Sequence, residues 1–365
     1  MSTKKKHITA LHEKTGIKQP KSVSDFSLKR IKNKQKKMLS SIDFITEIKK
    51  GNMAILSKAI TLVESTNTTH QEKARAIVKG ILPYSGKSIR IGITGVPGVG
   101  KSTFIEAFGN HLTQQGKKVA VLAVDPSSSL TKGSILGDKT RMETLVQNQN
   151  VYIRPSASGK TLGGVAQKTR ETILLCEAAG YDIILIETVG VGQSETAVHA
   201  MVDFFLLLKL AGAGDELQGI KRGIIEMADS IVINKADGDN KNPAKLAQNA
   251  FKNALHLYPL KENNWQPKVL MCSAIEDKGV LEVWQLIEAF IKHTKANNSF
   301  AAKRQKQEEF WLFDTINDSL RSEFYNNTKV KIALEKQLEL LRENKTTAYE
   351  IAGLILGEYR KEMIE

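Results

Sequence analysis

The sequence has few of the residues from which disulfide frameworks and soft-metal sites are built. Its 365 residues include only two cysteines, Cys176 and Cys272, and seven scattered histidines. Both cysteines lie in apolar stretches far apart along the chain, which predicts buried, unpaired thiols in a reducing compartment. A structural metal centre would need a cluster of cysteine and histidine ligands, so the sequence argues against that class of site.

Long apolar runs are also absent. No run of about 18 apolar residues exists, and the amino terminus has no signal-peptide core. The first residues are poor in acid, as in organelle transit peptides, but their positive charge comes mostly from lysine, where transit peptides favour arginine. We therefore expect a cytoplasmic protein with no membrane partner.

Acidic residues are scarce at the amino terminus, where most of the net charge of +14 arises. Residues 1–37 hold twelve lysines and arginines against Glu13 and Asp25. A basic segment can contact nucleic acid or lipid, but no aromatic-rich basic surface accompanies this one. The composition predicts a disordered tail over residues 1–38 and argues against a nucleic-acid partner.

Apolar periodicity divides the rest of the chain into three regions. Helical spacing predicts an N-terminal helical arm over residues 39–87. Between residues 88 and 296, short apolar runs alternate with helical segments, which is typical of a parallel sheet covered by helices on both faces. The predicted strands are residues 89–94, 118–124, 151–154, 182–187, 204–208, 230–234 and 268–273. Ligands of such sheets bind beyond the carboxyl ends of the strands.

The chain after residue 297 is predicted to be helical. Apolar residues recur at helical spacing in two or three segments, with breaks near residues 326–328 and 344–347. Such helices could cover the sheet, or their apolar faces could form a homodimer, and the periodicity supports both interpretations. We assign residues 297–365 to a C-terminal helical dimerisation arm.

The stretch GVPGVGKS, residues 95–102, fits the phosphate-binding pattern G-x-x-x-x-G-K-[ST] completely. It follows a predicted strand and opens a predicted helix, as this loop requires. Lys101 would reach the β- and γ-phosphates, and the Ser102 hydroxyl would bind Mg²⁺. The predicted phosphate-contacting residues are Gly95, Val96, Pro97, Gly98, Val99, Gly100, Lys101, Ser102 and Thr103. The predicted fold class is an α/β P-loop NTPase with helical extensions at both ends.

The choice of base is predicted from NKAD, which ends a predicted strand. Asp237 would accept hydrogen bonds from guanine N1–H and the exocyclic amine, which adenine does not offer in that arrangement. Asn234 would brace the neighbouring loops, and the Lys235 stem would lie over the base. Backbone groups that could meet guanine O6 belong to Ser273, Ala274 and Ile275. GTP is therefore favoured over ATP.

Three acidic residues are candidates for holding Mg²⁺ beside the phosphates. Asp125 and Glu187 end predicted strands, and Asp138 lies between strands in a stretch of no assignable shape. Carboxylates at the carboxyl edge of a P-loop sheet suit Mg²⁺ and its bound water. With Lys101 they form the predicted catalytic group, and which acid binds the metal and which orients water stays open. Gly190 could offer an N–H to the γ-phosphate.

Seven motifs follow one another along the chain: GVPGVGKST, AVDPSSS, GDKTRM, RPSASGKTLGG, ETVGVGQSE, AGAGDELQGIK and NKAD. With this ordered set, about residues 40–360 resemble the MeaB/ArgK-type GTPases. Those are the methylmalonyl-CoA mutase-associated GTPases, relatives of the methylmalonic aciduria type A protein. The resemblance implies a homodimeric GTPase that uses GTP/GDP and Mg²⁺ and acts as a chaperone. It would gate adenosylcobalamin delivery to a mutase and protect that mutase, with slow hydrolysis that the client stimulates.

The stretch AGAGDELQGIK, residues 211–221, allows two interpretations. It could be a strand–helix turn in which Asp215 caps the next helix. The resemblance implies instead a third switch, in which Asp215, Gln218 and Lys221 pass the nucleotide state to the client. Gly190 and Gln193 of ETVGVGQSE would belong to the same coupling system.

Other functions known for P-loop proteins fit this sequence less well. Metal-inserting GTPases need cysteine and histidine clusters, and partitioning ATPases usually carry a lysine where this chain has Val96. A kinase linked to arginine and ornithine transport stays an alternative, as does a nucleotide-gated scaffold without significant turnover. The preferred client is methylmalonyl-CoA mutase, although an isobutyryl- or ethylmalonyl-CoA mutase would need the same service.

Overall fold

The computed structural model describes residues 39–124, 142–155, 162–188, 194–212 and 222–362. The predicted tail lies outside these ranges, as do seven predicted site residues: Asp125, Asp138, Gly190, Gln193, Asp215, Gln218 and Lys221. Residues 41–365 form one compact unit. The domain boundaries at residues 38, 87 and 296 stay predictions.

Within the described ranges, seven strands form one sheet in the order β3-β2-β4-β1-β5-β6-β7. They are β1 (Ile89–Gly95), β2 (Val119–Val124), β3 (Val151–Arg154), β4 (Ile183–Thr188), β5 (Phe204–Lys209), β6 (Ser230–Ile233) and β7 (Lys268–Met271). Every neighbouring pair is parallel, so the strands end together at one edge, here named the carboxyl edge, and begin together at the amino edge. Each strand lies where an apolar run predicted it, and the predicted fold class is confirmed.

Helices connect the strands and extend the chain at both ends. Those in the described ranges are α1 (Ser41–Lys49), α2 (Met53–Glu64), α3 (Thr68–Ile81), α4 (Lys101–Gln114), α5 (Glu143–Val146), α6 (Leu162–Ala178), α7 (Ser194–His199), α8 (Arg222–Met227), α9 (Lys241–Leu255), α10 (Val280–Ala296), α11 (Ser299–Asn326), α12 (Thr328–Arg342) and α13 (Ala348–Glu362). Leu82–Tyr84 and Gly238–Asn240 are short 3-10 turns. A right-handed crossover through a helix is the usual way to join parallel strands.

Both faces of the sheet are covered by apolar side chains from these helices. On one face, α4 and α10 pack against β1 and β5 through fully buried Phe104, Phe108 and Phe290. On the other, α9 packs against β6 and β7 around Phe251. Burying strands on both sides explains why they read as continuous apolar runs.

Both cysteines are buried and unpaired, as predicted. Burial, with smaller contributions from nearby acids, raises the pKa of the Cys272 thiol to about 12. Because the thiolate is the reactive form, this thiol is chemically inert at neutral pH.

The terminal helices pack on the same framework. The three N-terminal helices contact α6, and α11 contacts α6 and α10. Helices α12 and α13 pack against each other around Val330, Ile351 and Ile355. The helical breaks lie where they were predicted. None of the helices in the described part of the chain has the length and apolar character needed to cross a bilayer.

Candidate functional site

The glycine-rich loop joins the end of β1 to the start of α4, and its glycines are needed for two physical reasons. Gly98 and Gly100 adopt φ angles of 81° and 91°, a region that favours glycine. A Cβ placed on Gly95 would come within 2.6 Å of the Leu208 carbonyl oxygen on β5. The loop can therefore lie close against the sheet and turn its backbone at the carboxyl edge.

Lys101 begins α4 directly after this loop and is only 8% exposed. Its ammonium donates to the carbonyl oxygens of Gly95, at 2.8 Å, and Val96, at 3.4 Å. Burial lowers the pKa of Lys101, and the nearby Glu187 and Glu195 carboxylates partly offset that effect. A largely desolvated cation beside a turned glycine loop is suited to receive phosphate oxygens.

Ser102 and Glu187 meet beside Lys101. The Ser102 hydroxyl lies 3.5 Å from a Glu187 carboxylate oxygen, because β1 and β4 are neighbours in the sheet and Ile93 is the register partner of Glu187. Just behind them, the buried hydroxyls of Thr94 and Thr188 are hydrogen-bonded at 2.9 Å. Ser102 and Glu187 therefore lie side by side, and their shared role toward Mg²⁺ stays a prediction.

The donor chemistry of this pair fits Mg²⁺, which prefers oxygen ligands. Asp125 and Asp138, the other predicted ligands, lie outside the described residues. Among the residues that are described, no group of three or more histidine, cysteine, aspartate or glutamate side chains could hold a metal ion. The strand β2, which leads to Asp125, ends at Val124, and Val124 is the register partner of Thr188.

Glu195 is a neighbour of Lys101 that the sequence analysis missed. It lies in the first turn of α7 and is only 2% exposed. Its carboxylate acts electrostatically on Lys101. The available signal was its position in ETVGVGQSE, eight residues beyond Glu187 at the same end of the sheet.

The NKAD segment is joined to the glycine-rich loop by side-chain hydrogen bonds. The Asn234 amide donates to the Val99 carbonyl oxygen at 2.9 Å, which agrees with the predicted bracing role. The Asn234 carbonyl oxygen is buried and has no hydrogen-bond partner in the described part of the chain. The Lys235 ammonium donates to the Gly98 carbonyl oxygen at 2.9 Å, and Lys235 adopts a φ of 56°. Whether the Lys235 stem covers a base stays a prediction.

The Asp237 carboxylate is hydrogen-bonded to Ser273, which lies two residues after the end of β7. The Ser273 hydroxyl donates to an Asp237 carboxylate oxygen at 2.6 Å and accepts from the Glu276 N–H at 3.1 Å. Ile275 is 78% exposed beside them. The predicted base-recognition residues of two separate segments are therefore neighbours.

Asn240 also organises this segment and was missed by the sequence analysis. Its side-chain amide donates to the Lys235 carbonyl oxygen at 2.6 Å, and its N–H donates to the Asp237 carbonyl oxygen at 2.9 Å. The available signal was an asparagine just before a helical pattern, a position at which asparagine commonly bonds to nearby backbone.

The predicted residues thus gather at the carboxyl edge in two groups. Lys101, Ser102 and Glu187 form one, and Asn234, Lys235, Asp237 and Ser273 form the other, with the glycine-rich loop between them. Val99 contributes only backbone, since its side chain lies in the core. The roles of these residues toward a nucleotide stay predictions.

The sequence was also compared with models of known protein families. The family model described as methylmalonyl Co-A mutase-associated GTPase MeaB matches residues 56–329. The chain belongs to the MeaB family. This confirms the resemblance that the motifs carried.

Three named relatives share about half of their aligned residues with this MeaB-family chain. A probable GTPase of Mycobacterium bovis is 50% identical over 80% of this chain and 88% of its own length. GTPase ArgK of Escherichia coli is 49% identical over 78% of this chain and 86% of its own. The mitochondrial methylmalonic aciduria type A homolog of Mus musculus is 49% identical over 78% of this chain and 71% of its own.

Among solved structures, one titled LAO/AO transport system kinase is 38% identical and superposes with a TM-score of 0.70, covering 88% of this chain and 97% of that one. The Mycobacterium bovis and Escherichia coli relatives are named GTPases, and the P-loop fold of this MeaB-family chain supports GTP hydrolysis.

Proposed function

We propose that this chain is a Mg²⁺-dependent cytoplasmic GTPase that gates adenosylcobalamin delivery to methylmalonyl-CoA mutase and protects that mutase. The observation that carries the proposal is the match of three quarters of the chain, residues 56–329, to the mutase-associated GTPase family. The two residue groups at the carboxyl edge support the nucleotide part. The client and the cobalamin step rest on the family alone.

The phosphate group of residues would act mainly by positioning and charge. Lys101 would exchange its bonds to the Gly95 and Val96 carbonyls for phosphate oxygens, where it stabilises charge that develops during transfer. Ser102 and Glu187, with Asp125 and Asp138, would hold Mg²⁺. When bound, Mg²⁺ neutralises phosphate charge.

The base group of residues would supply selectivity. Ser273 already orients the Asp237 carboxylate, so that little reorganisation is needed when guanine donates to it. ATP would leave this carboxylate desolvated and without donors. Calorimetry should show strong GTP binding and weak ATP binding, whereas equal affinities would contradict the assignment of NKAD.

Phosphate release distinguishes the GTPase from a nucleotide-gated scaffold. Release from GTP should be slow with the protein alone and faster when a cobalamin-dependent mutase is added. A scaffold would bind GTP with the same selectivity but release no phosphate above the rate of the Lys101→Ala variant under either condition.

A kinase is retained as a second candidate because the structure at 38% identity is titled a transport system kinase. The two activities differ in where the γ-phosphate goes. With γ-labelled GTP, a GTPase yields labelled inorganic phosphate only. Label recovered on a transport protein, or on arginine or ornithine, would favour the kinase instead.

Coupling to the client is assigned to the two predicted switch segments. Asp215→Ala, Gln218→Ala and Lys221→Ala should leave GTP affinity and basal hydrolysis nearly unchanged while reducing stimulation by the mutase and control of cofactor transfer. Gly190 and Gln193 would act in the same system. If all three variants keep full stimulation, residues 211–221 form only a turn.

The homodimer is assigned to the C-terminal arm, and exposed apolar side chains on α11 support this. Phe313 and Leu320 are 65% and 58% exposed, two turns apart. Ending the chain near Ser299 would also remove Trp311, which is 2% exposed and bonded to the Ala200 carbonyl oxygen, so point variants test the interface better.

Replacing both Phe313 and Leu320 with glutamate should convert dimer to monomer in light scattering. Ser322→Glu, at an exposed polar position on the opposite face of the same helix, is the matched control and should stay dimeric. A dimer that persists in the double variant would place the interface elsewhere.

A further inference from the structure

A cavity of about 760 Å³ lies at the amino edge of the sheet, on the side away from the nucleotide residues. It is bounded by α7, α8, α10 and α11, and by Asp203 and Asp229, which directly precede β5 and β6. The volume falls within the range of small-molecule sites. None of its lining residues belongs to the site described above.

One part of the cavity wall is apolar. Phe300 and Ala302, at the start of α11, and Met227, at the end of α8, present apolar surface to it. Beneath them, Phe290 of α10 is buried and packs edge-on against Trp265 and Phe204, which makes this wall rigid. A rigid apolar wall suits a flat or extended apolar group.

The inner end of the cavity carries one excess positive charge. Asp203 is neutralised by Arg304, whose guanidinium donates to both carboxylate oxygens at 2.8 and 2.7 Å. Asp229, in contrast, faces two cations: the Lys261 ammonium at 2.8 Å and the Lys303 ammonium at 3.8 Å. Lys303 also donates to the Asp203 backbone carbonyl at 2.8 Å and shares the Asp229 carboxylate with Lys261, so three cations face two carboxylates here.

Other titratable groups of the cavity do not cancel this charge at its inner end. Glu226 and Glu262 are exposed, and Glu262 is bonded to Lys306. His199 is neutral, because burial first, and then the charge of Lys303, lowers its pKa to about 4. Its ring contacts Phe205 edge-on, and no hydrogen bond to its nitrogens occurs in the described part of the chain.

We propose that this cavity binds a small monocarboxylate with an apolar body. The carboxylate would pair with Lys303, the cation in excess, and could accept from the His199 ring. The apolar body would lie along Phe300 and Met227. An amine of the same shape would meet Lys303 and Lys261 as like charges, so the cavity discriminates by the sign of the head group.

Calorimetry with the full chain and phenylbutyrate tests this directly. We expect saturable binding with one molecule per chain, and no measurable binding of phenylbutylamine at the same concentrations. Lys303→Met should weaken phenylbutyrate binding by about tenfold or more, because a partly buried charge pair is lost. The variant should still fold, since Asp229 keeps Lys261 and Asp203 keeps Arg304.

Two further variants make the outcome decisive. Lys292→Met removes an exposed lysine of α10 outside the cavity and should leave binding unchanged. Gly223→Phe should abolish binding, because Gly223 lines the cavity and the added ring would occupy its space. The variant should still fold, because a Cβ at Gly223 would meet no atom within 4 Å. GTP hydrolysis is measured in every variant as a check on folding.

The proposal is overturned if phenylbutyrate does not saturate a site, if phenylbutylamine binds equally well, or if Gly223→Phe binds as the parent does. Because binding is measured without nucleotide, these outcomes are independent of whether the chain hydrolyses GTP.

Discussion

Charged side chains at the two edges of the sheet have different partners. At the carboxyl edge, Lys101 and Lys235 donate to backbone carbonyls of the glycine-rich loop. At the amino edge, buried carboxylates are matched with cations: Glu177 with Arg90, Asp203 with Arg304, and Asp229 with Lys261.

The amino-edge pairs join segments that are far apart in the chain. Glu177 accepts from the Gly86 N–H, the Ser88 hydroxyl and the Arg90 guanidinium, and Arg304 donates to the Gly86 and Ser88 carbonyl oxygens. The segment before β1 is thus held from both sides, by α6 and by α11. Buried charges that are paired and fully hydrogen-bonded hold elements in register.

Charged groups that hold the fold together thus differ from charged groups that are proposed to bind a ligand. A carbonyl–ammonium bond at the carboxyl edge could be exchanged for a phosphate contact at little cost, whereas the Glu177 and Asp203 carboxylates at the amino edge each depend on one guanidinium in the described part of the chain. Variants at the two edges should therefore fail in different assays.

The largest effect is expected for Lys101→Ala at the carboxyl edge. Removing the cation nearest the transferred phosphoryl group should lower single-turnover GTP hydrolysis by at least about 10² to 10³-fold. The free energy of unfolding should change less than when a buried ion pair is broken, because both hydrogen bonds of the Lys101 ammonium in the described residues go to loop carbonyls. Lys118→Ala, an exposed lysine before β2, is the control and should hydrolyse GTP normally. Parent-like rates in Lys101→Ala would disprove the assignment of the phosphate site.

Arg304→Leu at the amino edge should have the opposite profile. It leaves the Asp203 carboxylate, whose side chain is 1% exposed, without its cation. Breaking a buried pair in this way costs about 3 to 5 kcal/mol, which urea unfolding would detect. GTP affinity should be unchanged in the fraction that stays folded.

The exposed pair of Lys306 and Glu262 provides the matched control for that prediction. The Lys306 side chain is 72% exposed, so Lys306→Met should not measurably alter unfolding. Equal losses in the two variants would show that burial of the Asp203 pair is not what stabilises this edge.

A smaller effect is expected for Asp237→Ala, which tests selectivity within the carboxyl edge. Guanine would lose two hydrogen bonds to a charged acceptor, which should weaken GTP binding by about 2 to 3 kcal/mol and reduce discrimination against ATP. Asp239→Ala, two residues on and exposed, should bind GTP as the parent does. Calorimetry with both nucleotides gives the comparison, and unaltered selectivity in Asp237→Ala would move base recognition to another segment.

The last expected effect concerns His199 at the amino edge, whose buried imidazole makes the free energy of unfolding depend on pH. Burial lowers the pKa of His199 from 6.5 to about 4. The unfolded chain therefore binds the extra proton first, and stability is lost as pH falls through the window from 6.5 to 4. This shift corresponds to at most about 3 kcal/mol at pH 4, and His199→Gln should remove that contribution.

Urea unfolding at pH 7 and pH 4 measures the difference. His256→Gln, at an exposed position, should keep the parent's pH dependence. If the two histidine variants respond alike, the buried imidazole is not the titrating group.

Several features of the molecule could be predicted without the structure because they are local. A strand buried on both faces has to be apolar along its length, so the seven runs identified the seven strands. The glycine-rich loop needs residues that tolerate positive φ, and Gly98 and Gly100 lie three residues and one residue before the lysine that the pattern requires. The family followed from such contiguous motifs, and the family model confirmed it.

Only the tertiary structure decided which distant residues meet. Ser273 orients Asp237 from 36 positions away, Asn234 braces Val99 from 135, and Arg304 pairs with Asp203 from 101. Glu195, Asn240 and the charge pairs of the amino edge have no distinctive local pattern, because a carboxylate in sequence looks the same whether it is solvated or buried. Sheet order and helix packing determine which partner each charge finds, and burial makes that partner necessary.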